Sequence, residues 1–374
     1  MNILVIGGGP AGLFFSIIAK RAVPAATIEV REQNPEGVTY GWGVAFSESA
    51  AGALRPAAPD VIDALTAGIR HDRMVLSLDG ADVPVQVGRS HLNARWSLLA
   101  TLERIAVEAG VRIEHESEAA VTESELARWD LVLGADGVNS RTREHFAEHF
   151  LPSVELGSNW LAWYGTRKPY PPSIILRNSE YGVLMAHASG FSAEMSNFTV
   201  EVGQETFDRL GFADLAEDES RALCERLFAD SLAGAPLRSN HSPWFRTKFV
   251  SCARWTHRNL ALIGDALHTV HPSVGSGTRF AMRDAVYLTE ALAGARWDVE
   301  VGLKEFERVR KPVADAFQAA AKRSIAWYEG LPSRTITHPT KFAIEYLMRT
   351  GRVSYRDFRR ENRDVVLGYE RDLR

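Results

Sequence analysis

The chain of 374 residues carries 43 Lys and Arg against 47 Asp and Glu, a formal net charge of -4, so nothing global argues for a nucleic-acid partner. At 45% apolar, with no uninterrupted apolar run near the roughly 20 residues of a membrane helix, it reads as a globular, cytoplasmic chain with no membrane span, long enough for two or three domains. Its two cysteines, Cys224 and Cys252, lie on unrelated segments and suit neither a disulfide framework nor a zinc site, so reduced thiols and no metal are expected.

Met1 to Ile6 has no basic segment or cleavage site and reads as mature structure rather than a signal. The apolar run Asn2 to Ile6 predicts a strand, Gly7-Gly8-Gly9-Pro10-Ala11-Gly12 a turn, and Leu13 to Arg21 a helix. Gly7, Gly9 and Gly12 fill G-x-G-x-x-G: one glycine makes the turn, one lets the backbone approach a pyrophosphate, and one allows close helix–strand packing. A second strand, Ala26 to Arg31, ends at Glu32, 20 residues after Gly12, where a carboxylate accepts hydrogen bonds from an adenosine ribose. In Tyr40-Gly41-Trp42-Gly43, two glycines flank Trp42 and let the backbone pass close to a flat ligand; a tight turn around a packed Trp explains the segment too.

Residues 50–67 read as helix broken at Pro56 and Pro59, and Met74 to Val87 as a hairpin around Asp79-Gly80. Arg95 opens a helix that Gly110 stops, and Val111 to His115 follows as a strand. Asp130 to Gly134 predicts a buried strand that delivers Asp136 and Gly137 at its carboxyl end, where open α/β sheets bind ligands. From Leu151 four strand patterns without intervening helices (Trp160 to Thr166, Ser173 to Arg177, Tyr181 to His187, Ser196 to Val202) indicate an antiparallel sheet. Helices are expected over 205–210 and 217–232, then a strand over 244–250. Ala261 to Ile263 runs into Gly264-Asp265, and Pro272, Gly275 and Gly277 lead into a helix from Thr278 to Leu292. Val301 to Trp327 reads as one long helix, and 339–374 as a helical, charge-rich tail.

Together these features resemble the group A flavoprotein monooxygenases, the para-hydroxybenzoate hydroxylase fold. The resemblance rests on Gly7-x-Gly9-x-x-Gly12 with Glu32, on Asp136-Gly137-x-x-Ser140-x-x-Arg143, and on Gly264-Asp265-Ala266-x-His268 followed by Pro272, Gly275 and Gly277. Trp160 to Thr166, Ala186-His187-Ala188, Phe198 to Glu201 and Gly275-Ser276-Gly277-Thr278 look like the subgroup that includes salicylyl-CoA 5-hydroxylase, the anthraniloyl-CoA monooxygenase flavin domain and a violacein-pathway hydroxylase. The implied fold is α/β: a Rossmann-like FAD-binding domain (1–73, 91–155 and 245–295), an inserted mixed or antiparallel sheet as substrate domain (74–90 and 156–244), and a C-terminal helical region (296–374).

The resemblance implies FAD held by Gly7, Gly9, Ala11, Gly12, Glu32, Trp42, Arg95, Asp136, Gly137, Gly264, Asp265, Pro272, Gly275, Gly277 and Thr278. Thr278-Arg279 departs from the small residue or Asn of many members. It further implies NADH or NADPH as reductant, O2, and hydroxylation of an activated aromatic ring through a C4a-hydroperoxyflavin. Salicylyl-CoA is the first substrate expected; anthraniloyl-CoA or a free aromatic acid or indole are alternatives, as is a non-catalytic flavin redox sensor. His187 would orient or deprotonate a ring hydroxyl, while His268 and His271, beside Pro272, would bond flavin or substrate or brace the turn. Arg167, Lys168, Arg349 and Arg352 are the candidates for the phosphates of a CoA thioester.

Overall fold

A computed structural model describes residues 1–39, 42–117, 121–271, 275, 277–334 and 336–372. The chain enters with β1 (Asn2–Ile6) and β2 (Thr27–Arg31) and leaves for β3 (Gly43–Ser47), β4 (Ile69–Leu78) and β5 (Ala81–Ala94). It returns with β6 (Arg112–Glu114) and β7 (Leu131–Gly134), then leaves again for β8 (Pro152–Thr166), β9 (Ser173–Ser179), β10 (Gly182–Gly190), β11 (Ser196–Val202), β12 (Leu237–Arg238) and β13 (Phe245–Cys252). It closes the first sheet with β14 (Thr256–His257) and β15 (Leu260–Leu262).

The first sheet has the order β14-β15-β7-β1-β2-β6, parallel except for the β14–β15 pair. β7 and β15 are buried throughout, as continuous apolar runs between two helical layers should be. On β1 the chain order of neighbours reverses, β2 on one side and β7 on the other. That is the switch point at which doubly wound sheets open a crevice for a ligand. Helix Pro10–Ala22 starts there and packs against helix Gly277–Gly294 and helix Arg95–Glu108.

Two separate excursions build the second, nine-stranded sheet, joined by the parallel pair β4–β9. β10 and β11 alternate cleanly. Leu184, Ala186, Ala188, Phe198 and Val200 pack under the helices of residues 204–232, while Met185, His187 and Glu201 face the other way. The sheet takes in more chain than the expected boundaries allowed: β3, the start of β4, the end of β5, the start of β8 and all of β13 belong to it. Ile69 to Arg73 is charged and half-exposed, which hides the strand, and β13 reaches β8 through a bulge between Arg246 and Lys248.

Helix Val299–Glu329 spans both sheets, longer than expected, with Pro312 inside it. The tail forms helices Pro339–Met348, Tyr355–Glu361 and Arg363–Asp372. It is packed rather than solvated: Phe342, Tyr346, Phe358 and Val366 share a core with Leu76, Leu176, Met185, Trp327 and Tyr328. No described helix is long and apolar enough to cross a membrane.

Candidate active site

The first turn after β1 is shaped by its glycines. Gly7 has φ +107°, and a Cβ there would lie 2.4 Å from the Ala135 carbonyl oxygen; one on Gly12 would lie 2.2 Å from that of Gly7. A Cβ on Gly9 meets nothing within 4 Å. Gly9 caps helix Pro10–Ala22 without a side-chain bond, and the first turn carries no acid, so no side chain of its own caps or neutralises this helix N-terminus. Glu32 is drawn onto this turn, accepting from Gly8 N–H at 2.7 Å and from Asn34 at 2.6 and 2.8 Å.

The β7 turn is fastened to its own helix. The Asp136 carboxylate accepts from Ser140 Oγ at 2.5 Å and Thr142 N–H at 2.9 Å, and Ser140 caps Arg143. Arg143, buried, donates to the carbonyls of Val138 and Ala266, both at 2.8 Å, and so ties this turn to the one after β15. Gly137, at φ +77°, borders open space.

The turn after β15 packs against two helices. Gly264, φ +63°, has room for no side chain: a Cβ would lie 3.0 Å from Ala11 and 3.2 Å from Ala281. Its N–H donates to buried Asp284 at 2.9 Å, and Asp284 also meets Arg310 Nε at 2.9 Å and His268 Nε2 at 3.2 Å. His268 thus stands beside the buried Asp284–Arg310 ion pair beneath the turn, against Trp255 and Phe280. Asp265 keeps an exposed side chain while surrounded by protein, as at the floor of a cleft. Burial raises its pKa, against the pull of His268 and Arg95. Arg95 in turn has its pKa lowered by burial, and its Nε has no hydrogen-bond partner and no solvent contact. Gly275 and Gly277 border open space and Thr278 is half-buried; Pro272, like Gly41 beside Trp42, lies outside the described residues. Trp42 lays its ring on Gly165 of β8, donates Nε1–H to the Trp163 carbonyl at 3.2 Å, and accepts from Arg95 N–H at 2.8 Å.

A second polar cluster lies where the two sheets and the tail meet. His187 pairs across the strands with Thr199, which sets Glu201 diagonal to it on the same face. His187 Nε2 lies 2.8 Å from Glu201 Oε2, and Asn159 donates to Oε1 at 2.8 Å. Burial opposes ionisation of Glu201, but the bond from His187 and the fields of His271 and His187 outweigh it and hold its pKa below the ordinary value. Tyr328 links the cluster: its ring centroid is 5.4 Å from that of His187 and 5.7 Å from that of His271. Arg349 reaches in from the tail, its guanidinium 3.8 Å from the Tyr346 ring and 5.5 Å from that of Tyr328, with Nε donating to Ser324 at 3.0 Å. His271, buried, follows the Gly264-Asp265 turn by a few residues and so connects the cleft floor to this cluster; burial lowers its pKa.

Most of the expected site residues therefore fall into three places: the cleft, the buried surroundings of Asp284 that hold His268, and the cluster of His187, His271 and Arg349. Lys168 is elsewhere, committed to the Ser231 carbonyl and the Tyr170 ring on the opposite face of the sheet from His187, and Arg167 beside it is exposed. Arg352 lies outside the cluster over Phe317. Glu201, Asn159 and Tyr328 were not expected. Glu201 alone left a readable signal, an acid in the alternating strand Phe198-Thr199-Val200-Glu201 on the face that carries no core aliphatics.

The chain matches the FAD binding domain family over residues 84–321. It is 34% identical to the salicyloyl-CoA 5-hydroxylase of a Streptomyces species, with 96% of this chain and 72% of the relative covered. It is also 34% identical to the 3-hydroxy-4-methyl-anthranilyl-(aryl-carrier protein) 5-monooxygenase of Streptosporangium sibiricum, with 98% and 99% covered. Among solved structures, a 2-methyl-3-hydroxypyridine-5-carboxylic acid oxygenase superposes with TM-score 0.72 at 19% identity over 93% of this chain and 96% of that one, a likeness of fold. With its parallel dinucleotide sheet, inserted second sheet and glycine-shaped cleft, the chain belongs to the FAD-dependent aromatic monooxygenases of the FAD binding domain family.

Proposed function

We propose that the chain hydroxylates an aromatic ring presented as a thioester, with salicylyl-CoA the first candidate and anthraniloyl-CoA the second, using NADH or NADPH and O2. The carrying observation is the buried cluster of His187, Glu201, His271, Tyr328 and Arg349, joined to the cleft floor through His271. Both similar relatives named above act, by their names, on aryl groups attached to a carrier.

The cleft suits FAD. The uncapped helix N-terminus and the open space at Gly9 and Gly137 would take the diphosphate, Glu32 the ribose, and Asp265 the hydroxyls of the ribityl chain. The unpartnered Arg95 Nε offers a donor to the cofactor. Bound there and reduced by NADH or NADPH, FAD would activate dioxygen for transfer of one of its atoms to the ring, the other leaving as water.

The side chains of the second cluster would handle the substrate proton. Glu201, held ionised, accepts the Nε2–H of His187, which leaves Nδ1 as the acceptor for a ring hydroxyl proton. Proton removal raises electron density on the ring carbon to be hydroxylated. Arg349 stabilises the charge that develops, and the aromatic walls of Tyr328 and Tyr346 exclude water.

The test is NAD(P)H consumption and product analysis against salicylyl-CoA, anthraniloyl-CoA, free salicylate and tryptophan. Stimulated oxidation with hydroxylated thioester is the expected result. Turnover of free acid or indole alone would replace the thioester reading, and reduction without product on any aromatic would favour a redox sensor.

A further inference from the structure

We propose that Arg279, Arg283 and Arg352 form an anion subsite at the rim of the active site, shaped for the phosphates of the arm that carries the aryl thioester; it rests on the thioester reading above. Arg279 and Arg352 share one aromatic ring, their guanidinium carbons 5.7 and 5.2 Å from the centroid of Phe317. Arg283 lies one helical turn beyond Arg279 on helix Gly277–Gly294. Among the described residues the side-chain contacts of the three are neutral: Arg279 to Ser47 Oγ at 3.0 Å and the Phe317 ring, Arg283 to the Ala53 carbonyl and the Tyr287 hydroxyl, both at 3.3 Å, and to the Tyr287 ring, and Arg352 to the Phe317 ring.

Among the described residues, no carboxylate lies within ion-pair distance of any of them. Two other tail arginines do pair with acids: Arg359 meets Glu370 at 3.7 Å and Arg360 meets Asp357 at 3.4 Å. Arg279 is also half-buried, and burial, then the fields of Arg352 and Arg283, lower its pKa. Like charges converging on a partly desolvated site repel one another, and an anion of more than one charge relieves that repulsion. Several guanidinium forks with free donors match phosphate oxygens better than a single carboxylate.

The location fits a rim. Arg279 stands two residues after Gly277 of the cleft loop, and Arg352 three residues after Arg349, which points into the polar cluster. One short stretch of chain therefore supplies an inner arginine for the ring and an outer one for the arm.

The experiment uses the FAD-loaded enzyme and an Arg283→Gln/Arg352→Gln double variant, which spares Arg279 and its bond to Ser47. Inorganic pyrophosphate binding, followed by calorimetry, is expected to weaken about tenfold or more in the variant, the scale of lost charged hydrogen bonds. The ratio of kcat/KM for salicylyl-CoA to that for its N-acetylcysteamine thioester, which lacks phosphate, should fall by a similar factor. Pyrophosphate binding that is absent, or equal in both proteins, overturns the subsite whatever the substrate. An unchanged ratio together with a raised KM for NADH or NADPH assigns the arginines to the reductant's diphosphate and overturns the thioester assignment. If neither thioester turns over, the substrate reading fails and pyrophosphate binding decides the subsite alone.

Discussion

Glu201 shows how one buried side chain sets the state of its neighbours. It sits at 2% exposure, which alone would keep it protonated, yet three polar neighbours hold it as the anion. If that anion orients His187 for proton removal, His187→Ala should slow hydroxylation by about 100-fold or more, the lower range for a general base, while FAD content stays that of the wild type. Glu201→Gln keeps the shape and loses the charge, so the rate should fall less and its pH profile should move to lower pH, because an imidazolium at His187 loses its neighbouring anion. Wild-type coupling and rate in both variants would remove the pair from the chemistry. Stability follows the same groups. The folded-state pKa of Glu201 is depressed, so its contribution is whole above the ordinary carboxylate value of 4.5 and is lost as pH falls through the lower folded value. His271, facing Glu201, His187, Glu329 and Arg349, is depressed mainly by burial. The unfolded chain therefore takes up its proton first, and stability starts to fall below about 6.5, its ordinary value. Thermal denaturation should show a first loss below pH 6.5, shared with His71 and His257, whose pKa values burial also lowers, and a further one below 4.5; His271→Asn should reduce the first, and an unaltered first limb would exclude His271 as a source.

At the scale of elements, the legible parts of the sequence were those whose cause is local. Gly7, Gly12 and Gly264 are glycines because a Cβ would strike a named atom, and a strand–glycine–helix pattern carries that reason within a few residues. Gly9 differs, since nothing stands where its side chain would be. Gly9→Ala should therefore leave the apoprotein's melting temperature within error and weaken FAD binding about tenfold, because the added methyl occupies cofactor space rather than protein space. Gly12→Ala should lower the melting temperature of the apoprotein itself. Equal effects of the two on apoprotein stability would contradict the assignment, and flavin fluorescence titration with scanning calorimetry reads both. Contacts between elements left no comparable trace. Nothing near Asp284 announces that it will meet Gly264, His268 and Arg310, and His268 accordingly looked as catalytic in the sequence as His271. Removing one member of such a buried pair leaves a charge uncompensated, so the network braces the turn that carries Asp265.

Over the whole molecule, the tail is where sequence and structure part most clearly. Its interleaved arginines and acids look like those of any solvated helix, and that reading holds for Arg359 and Arg360. The apolar residues between them have another destination. Phe342, Tyr346, Phe358 and Val366 close over the face of the second sheet that bears Met185, and Asn362 accepts from the Gln86 N–H at 2.6 Å to pin the end of the tail to β5. Docking the tail is what carries Arg349 to Tyr328, so the polar cluster is complete only when three distant parts of the chain pack together. Phe358 is 1% exposed at the centre of that contact and makes no polar contribution to the site. Phe358→Ala should cost about 3–5 kcal/mol in the tail's packing. Because the cleft lies on the other sheet, FAD content should persist while protease sensitivity rises between the first two tail helices. The fraction of NAD(P)H oxidation that ends in hydroxylated product should fall as Arg349 leaves its place. Native protease resistance with undiminished coupling would show that the tail is not needed to assemble the site, and Arg349 would then lose its assigned role.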